Sequence, residues 1–162
     1  MAFRSKDLPP RVRAMMARQD HSGDANKMVA GRVATDTRLE SVTVTLPLPP
    51  KSLSPNARCH WRQKARDVAD ARSRALYGTI IASGMSRLRW KRSTLQATFY
   101  HAQRRRRDDD NLIASLKAYR DGLVDAGLLD DDCGVTTLPV VKLIDRDRPR
   151  VVLTITRTEN DQ

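Results

Sequence analysis

Between Glu40 and Thr156 the apolar residues switch back and forth between two spacings, which restricts the chain to helices layered on a sheet. Val42, Val44, Leu46 and Leu48 alternate with Ser41, Thr43, Thr45 and Pro47, the period of a half-buried strand that Pro49-Pro50 ends. Lys51–Arg58 reads as a loop. From Trp61 to Ser83, Ala65, Val68, Ala69, Ala75, Leu76 and Ile80 recur at helical spacing, with Gly84 placed to close the helix. The opposite face carries Arg62, Lys64, Arg66, Arg72 and Arg74. A second strand is predicted over Thr94–His101, with Leu95, Ala97 and Phe99 on one side. Leu112, Leu116, Tyr119 and Leu123, spaced four, three and four, predict a second helix closed by Gly127. Two further strands, Pro139–Ile144 and Arg150–Thr156, are joined by the polar turn Asp145–Pro149 and read as an antiparallel hairpin. The order β-α-β-α-β-β predicts an α/β (α+β) domain over residues 39–162, a mixed β-sheet packed against helices. Residues 1–38, interrupted by Pro9-Pro10, Gly23 and Gly31, read as a basic flexible tail with a short helix over Val12–Arg18, or as the product of an upstream start codon.

Charge narrows the partners. The formal net charge is +11, and 40% hydrophobic residues with only 4% aromatics leave a core of Leu, Val, Ile and Ala. Such a charge points to nucleic acid or to an anionic membrane surface. No apolar run approaches the roughly 20 residues of a membrane span, and Met1–Asp20 has no apolar core of a secretory signal. Nucleic acid is therefore the expected partner, with no membrane and a cytoplasmic location. The two cysteines, Cys59 and Cys133, lie far apart and imply no disulfide framework. Cys59-His60, His101, Cys133 and His21 show no zinc-ligand spacing.

The chemistry-bearing segment is Arg104-Arg105-Arg106-Arg107-Asp108-Asp109-Asp110-Asn111. At the end of a strand, residues i and i+2 point to the same side, so Asp108 and Asp110 are expected to face one point while Asp109 faces away. Asp110 or Asn111 is a natural helix N-cap, and a helix N-terminus favours the negative charge gathered there. About twenty residues later come Asp130, Asp131 and Asp132; spacing alone does not place them beside Asp108. Converging carboxylates repel one another, and a hard divalent cation such as Mg²⁺ relieves that repulsion. Bound Mg²⁺ activates water and stabilises charge on a transferring phosphate; two ions about 4 Å apart would clamp both oxygens. The four arginines would hold the backbone of a polyanion. The alternative is a solvated turn of weak surface ion pairs followed by an ordinary polar loop.

The pattern is more specific than its composition. Arg105-Arg106-Arg107-Asp108-Asp109-Asp110-Asn111-Leu112, then Asp121-Gly122-Leu123, Ala126-Gly127, and Asp131-Asp132 before Val135, resembles the RusA family of Holliday junction resolvases. Upstream, Leu46-Pro47-Leu48-Pro49-Pro50 with Ser54 and Asn56 resembles the family's first strand and loop. Val140–Lys142 and Val151–Thr156 look like its closing strands. The resemblance covers residues 42–157 and leaves out the N-terminal segment.

The resemblance implies a homodimer that binds four-way DNA junctions and nicks two opposing strands with Mg²⁺, or with Mn²⁺ in its place, in recombination and repair, with a phage or prophage origin. It implies Asp108, Asp110 and Asp132 as metal-binding carboxylates, with Asp131 their neighbour in the second motif. Arg104, Arg105, Arg106, Arg107, Arg62, Lys64 and Arg66 are then the expected DNA contacts. Many family members carry a lysine three residues after the Asn; here that position is Ala114, and the nearest lysine is Lys117, read either as the catalytic lysine or as a solvated helix residue. Two other functions compete: a DNA-binding module without catalysis, and a nuclease acting more broadly on forks and flaps.

Overall fold

The computed structural model describes residues 39–158; the N-terminal segment, with the helix expected over Val12–Arg18 and with His21, lies outside the described residues. The elements are β1 (Ser41–Leu46), a 3₁₀ turn (Lys51–Leu53), α1 (Trp61–Ala82), β2 (Ser93–His101), α2 (Asp109–Ser115), α3 (Lys117–Asp125), β3 (Val135–Thr137), β4 (Val141–Ile144) and β5 (Arg150–Arg157). They form a mixed α/β structure with a five-stranded sheet. No helix among the described residues is long and apolar enough to cross a membrane.

The sheet runs β1-β5-β2-β3, and β4 also pairs with β2. β5 is antiparallel to both β1 and β2, while β3 and β4 run parallel to β2 along its N-terminal and C-terminal halves. Register carries the alternation of one strand into the next. Val44 pairs with Leu153 and Leu153 with Ala97, so Val42, Val44, Leu46, Leu95, Ala97, Phe99, Val151, Leu153 and Ile155 share one buried face. The opposite face is polar and partly open, with Thr43, Thr154, Gln96 and Thr98 along it and the Arg150 guanidinium over the Tyr100 ring at 3.9 Å.

Small residues let the helices lie close. α1 buries Ala71, Ala75 and Thr79, with Val68, Leu76 and Ile80 half-buried beside them; Ala65 and Ala69, expected on the inner face, are exposed. The inner stripe is rotated because α3 meets α1 at small side chains. A Cβ on Gly122 would stand 2.5 Å from the Arg72 carbonyl oxygen and 2.6 Å from the Ala75 Cβ. Arg72 and Asp125 fasten the same seam: Nε donates to one carboxylate oxygen and Nη2 to the other at 2.7 Å.

Three features differ from the sequence expectation. The helix expected between Asn111 and Gly127 is broken at Leu116, where Ser115 Oγ donates to the Leu112 carbonyl at 2.7 Å and Leu116 N–H turns back to Ile113 at 3.0 Å. Leu116, Tyr119 and Leu123 still share one buried stripe across the break, and Gly127 (φ 73°) closes α3 with bonds from Gly127 to Val124 and from Leu128 to Leu123. β3 is an additional strand, so the order is β-α-β-α-α-β-β-β. Finally, β4 and β5 do not form a hairpin. They flank β2, and Tyr100 stands between Leu143 and Arg150. Asp145–Pro149 steps over the end of β2, a gap of about 10 Å that five residues span with ease. Asp145 secures the crossing: its N–H donates to the His101 carbonyl at 2.9 Å, and its carboxylate accepts from Arg148 N–H at 3.0 Å and from the Arg150 guanidinium.

Candidate active site

A cavity of about 1190 Å³ opens at the C-terminal end of β2. One wall is the segment after β1. Pro47, Pro49 and Pro50 cannot continue the ladder, and the chain turns into the 3₁₀ turn through a Leu53 N–H bond to the Pro50 carbonyl at 3.0 Å. The Tyr119 hydroxyl donates to the Pro47 carbonyl at 2.9 Å, and burial pushes that phenol up to about 12. Ser52 donates to the Asp67 carboxylate, which binds this wall to α1. The other wall is the arginine–aspartate segment itself, where Arg106, Arg107, Asp108, Asp109 and Asn111 face the cavity. Asn56 Nδ2 donates to Asn111 Oδ1 at 3.3 Å and ties the two walls together.

Phe99 and His101 also line the cavity, their rings stacked with centroids 5.8 Å apart. The alternation of β2 puts both on its buried face. His101 is only 6% exposed, and its Nε2 has no hydrogen-bond partner. Burial, and then the charges of Arg107 and Lys142, hold the imidazole below its ordinary range, in the neutral form.

Local helix geometry decides where the first three aspartates go. Asp108 is the N-cap of α2, with extended backbone (φ −78°, ψ 130°) and no side-chain capping bond. Asp109 and Asp110 are already in the first helical turn. Successive side chains there rotate by about 100°, so the strand rule that would align Asp108 with Asp110 does not operate. Asp108 and Asp109 line the cavity and Asp110 does not. The Asp109 carboxylate is held by Lys142 Nζ, from β4, which also lies 3.5 Å from the Arg107 carbonyl. Arg107 is half-buried and folds back onto its own loop, donating to the Gln103 and Arg105 carbonyls at 3.2 and 3.3 Å. Arg104, Arg105 and Arg106 are exposed, as are Arg62, Lys64 and Arg66 at the start of α1.

The second acidic motif stands elsewhere. Asp130 N–H donates to the Trp90 carbonyl at 3.1 Å, and three residues beyond Asp132 the chain enters β3 with Val135 opposite Ser93. Asp130–Asp132 therefore lies at the N-terminal end of β2, while Asp108 follows its C-terminal end; nine strand residues span roughly 26 Å. The Asp132 carbonyl accepts from Arg120 at 3.1 Å. The Asp131 carboxylate takes bonds from the Cys133 thiol at 3.0 Å and from Asp132 N–H at 2.6 Å, and the thiol contact leads in lowering its pKa. Among the described residues no three His, Cys, Asp or Glu side chains are grouped to hold a metal ion. Lys117 is equally removed: it is 75% exposed at the start of α3, pairs with Asp121 at 3.5 Å, and does not line the cavity.

His101 and Lys51 line the cavity although the sequence pattern does not point to them, and Lys142, outside the lining, reaches it only through Asp109. Lys142 belongs to a strand named in advance, but only the parallel register of Lys142 on Phe99 sets it beside Asp109.

No family model matches the chain. A protein of Xylella fastidiosa (strain Temecula1), described only as uncharacterized, is 39% identical over 137 residues, covering 82% of this chain and 86% of the relative. The chain belongs to the same family as that protein. The shared stretch is longer than the segment from Leu39 to Gln162, so the likeness extends into the first 38 residues.

Proposed function

We propose that this chain is a magnesium-dependent endodeoxyribonuclease of the RusA type, which resolves four-way DNA junctions by paired symmetric nicks and acts as a homodimer. One observation supports this most directly. In the wall of a single cavity Arg106 and Arg107 adjoin the carboxylates of Asp108 and Asp109, and Lys142 holds Asp109. Cations there would hold a phosphodiester backbone against oxygen donors.

The donor set fits a hard cation. Asp108 keeps an exposed carboxylate free of any capping bond, and Asp110 is exposed two positions further on, in the first turn of the helix. Mg²⁺ commonly takes one or two carboxylates together with water and substrate phosphate. Asp108 would hold Mg²⁺ or Mn²⁺ at this end of β2, joined by Asp110 only if its exposed carboxylate swings from the first turn of α2 toward the cavity it does not line, with Asp132 and its neighbour Asp131 as the second motif. When bound, the ion supplies a polarised phosphate and an activated water. The two motifs lie toward opposite ends of β2, and a two-fold pair of protomers would reconcile them by bringing Asp108 of one copy to Asp132 of the other.

A second reading, a DNA-binding module without catalysis, draws on the placement of the two acidic motifs toward opposite ends of β2. Incubating the full chain with four-way, forked, flapped and linear duplex DNA, in Mg²⁺ and in EDTA, separates these. Mg²⁺-dependent nicks in opposing strands of the four-way junction are expected. Binding without cleavage on every substrate would establish the second reading, and equal cleavage of forks and flaps would establish a broader nuclease.

A further inference from the structure

Trp61 is the most exposed large hydrophobic side chain among the described residues, at 69%, and no part of the hydrophobic core packs on it. Its ring is nevertheless held. The His60 imidazole stacks beside it, with centroids 5.8 Å apart and an interplanar angle of 28°, and the Arg62 guanidinium lies 5.2 Å from the ring centroid. His60 is fixed in turn, its Nδ1 accepting from the Arg62 N–H at 3.2 Å. The segment that carries the indole is cationic. Arg58, Arg62, Lys64 and Arg66 are exposed, and the first turn of α1 has no acidic residue. The nearest carboxylate along the helix, Asp67, is occupied by Ser52 and Gln63. The platform also stands near the cavity. Asn56, which bonds to Asn111, is five residues from Trp61, less than about 18 Å even for extended chain.

An exposed indole ringed by cations is suited to a flat, π-faced group carried on a polyanion, and that describes an unstacked nucleobase. An acidic protein surface would use the cations but not the open ring face. A continuous duplex offers no free base face, whereas single strands do, and the branch point of an open junction leaves the flanking base pairs unstacked on one side. We infer that Trp61 is a base-stacking platform that takes an unstacked base of branched or single-stranded DNA and seats the adjoining backbone along Arg62, Lys64 and Arg66. This rests on the nuclease reading and deepens it by assigning the preference for branched over linear DNA to one ring.

Tryptophan fluorescence of the full chain in EDTA tests it, because the other tryptophan, Trp90, is buried at 5% exposure. Titration with oligo-dT should quench the exposed indole, and linear duplex should not. Trp61→Ala should abolish the quench and weaken oligo-dT and junction affinity roughly tenfold or more, leave linear duplex affinity unchanged, and leave the melting temperature unchanged. Trp61→Phe should restore most of the affinity. Absence of quenching, or equal junction affinity in Trp61→Ala, overturns the platform even if Mg²⁺-dependent cleavage is found. Quenching and weakened binding without cleavage of any DNA sustains the platform and overturns the nuclease.

Discussion

Lys142 donates to the Asp109 carboxylate across 33 residues of sequence, joining β4 to the first turn of α2. The contact neutralises the middle aspartate of the acidic run and holds an ammonium between Asp109 and the Arg107 carbonyl, two residues of the cavity wall. Lys117, on its own turn of α3, is engaged with Asp121 instead.

These two lysines should therefore behave differently. Lys142→Ala is expected to slow junction cleavage roughly tenfold or more, by removing a fixed cation from developing phosphate charge. Lys117→Ala loses only an exposed helical pair, worth a few tenths of a kcal/mol, and should cut within about twofold of the parent. Single-turnover cleavage of one four-way junction in Mg²⁺ decides it; the reverse ranking would return Lys117 to the active site.

Asp108→Asn and Asp132→Asn should each abolish cleavage while leaving junction binding in EDTA intact or slightly tighter, since each removes negative charge facing phosphate. Placement of the two motifs at opposite ends of β2 adds a sharper expectation. Mixed after co-refolding, the two inactive proteins should regain single-strand nicking, because a heterodimer keeps one site with both aspartates intact. No recovery, with dimers confirmed by light scattering, would mean that the two residues do not meet across the dimer.

Gly122→Ala ought to destabilise the fold even though alanine is the better helix former by about 1 kcal/mol. Its Cβ would meet backbone of α1 at the Arg72 carbonyl, which cannot swing aside as a side-chain tip could. Overpacking of this kind costs about 1–3 kcal/mol. Urea denaturation would show it as a lower midpoint with unchanged slope, and a midpoint equal to the parent's would mean that α3 shifts freely.

His101 gives the fold a pH dependence of known sign. The unfolded imidazole takes up its proton near pH 6.5, while burial holds the folded one below that. As pH falls through the unfolded value the unfolded state binds more protons, so stability drops, and it goes on dropping until the folded imidazole titrates. Between pH 7 and pH 5 the parent's melting temperature should fall, and His101→Phe should reduce that slope. An identical slope in both proteins would place the titration elsewhere.

β1, β2 and β5 were readable because each buries one face and so alternates, as in Val42, Val44 and Leu46. β4 gave an apolar run whose residues are all exposed, so its partner could not be read. β3, only three residues long, gave no period at all. The length of Asp145–Pro149 is equally compatible with joining adjacent strands and with stepping over one, which is why the hairpin expectation failed. Within the candidate site, Arg106, Arg107 and Asp108 stand together because they are neighbours in sequence. His101 reaches the same cavity, and Lys142 reaches Asp109 in its wall, through strand register, which has no signature in spacing. The strand rule behind the expected facing of Asp108 and Asp110 does not reach past Asp108, because α2 starts at Asp109.

The place of β5 between β1 and β2 has a consequence for how the chain is made. The strand that completes the buried face is the last of the described strands to leave the ribosome. Until Arg150–Arg157 has emerged, β1 and β2 have no shared neighbour, and each presents an unpaired edge. Such edges must be shielded for the whole interval of synthesis, so a nonsense codon placed anywhere before Arg150 should yield an insoluble fragment, however much of the arginine–aspartate segment it retains.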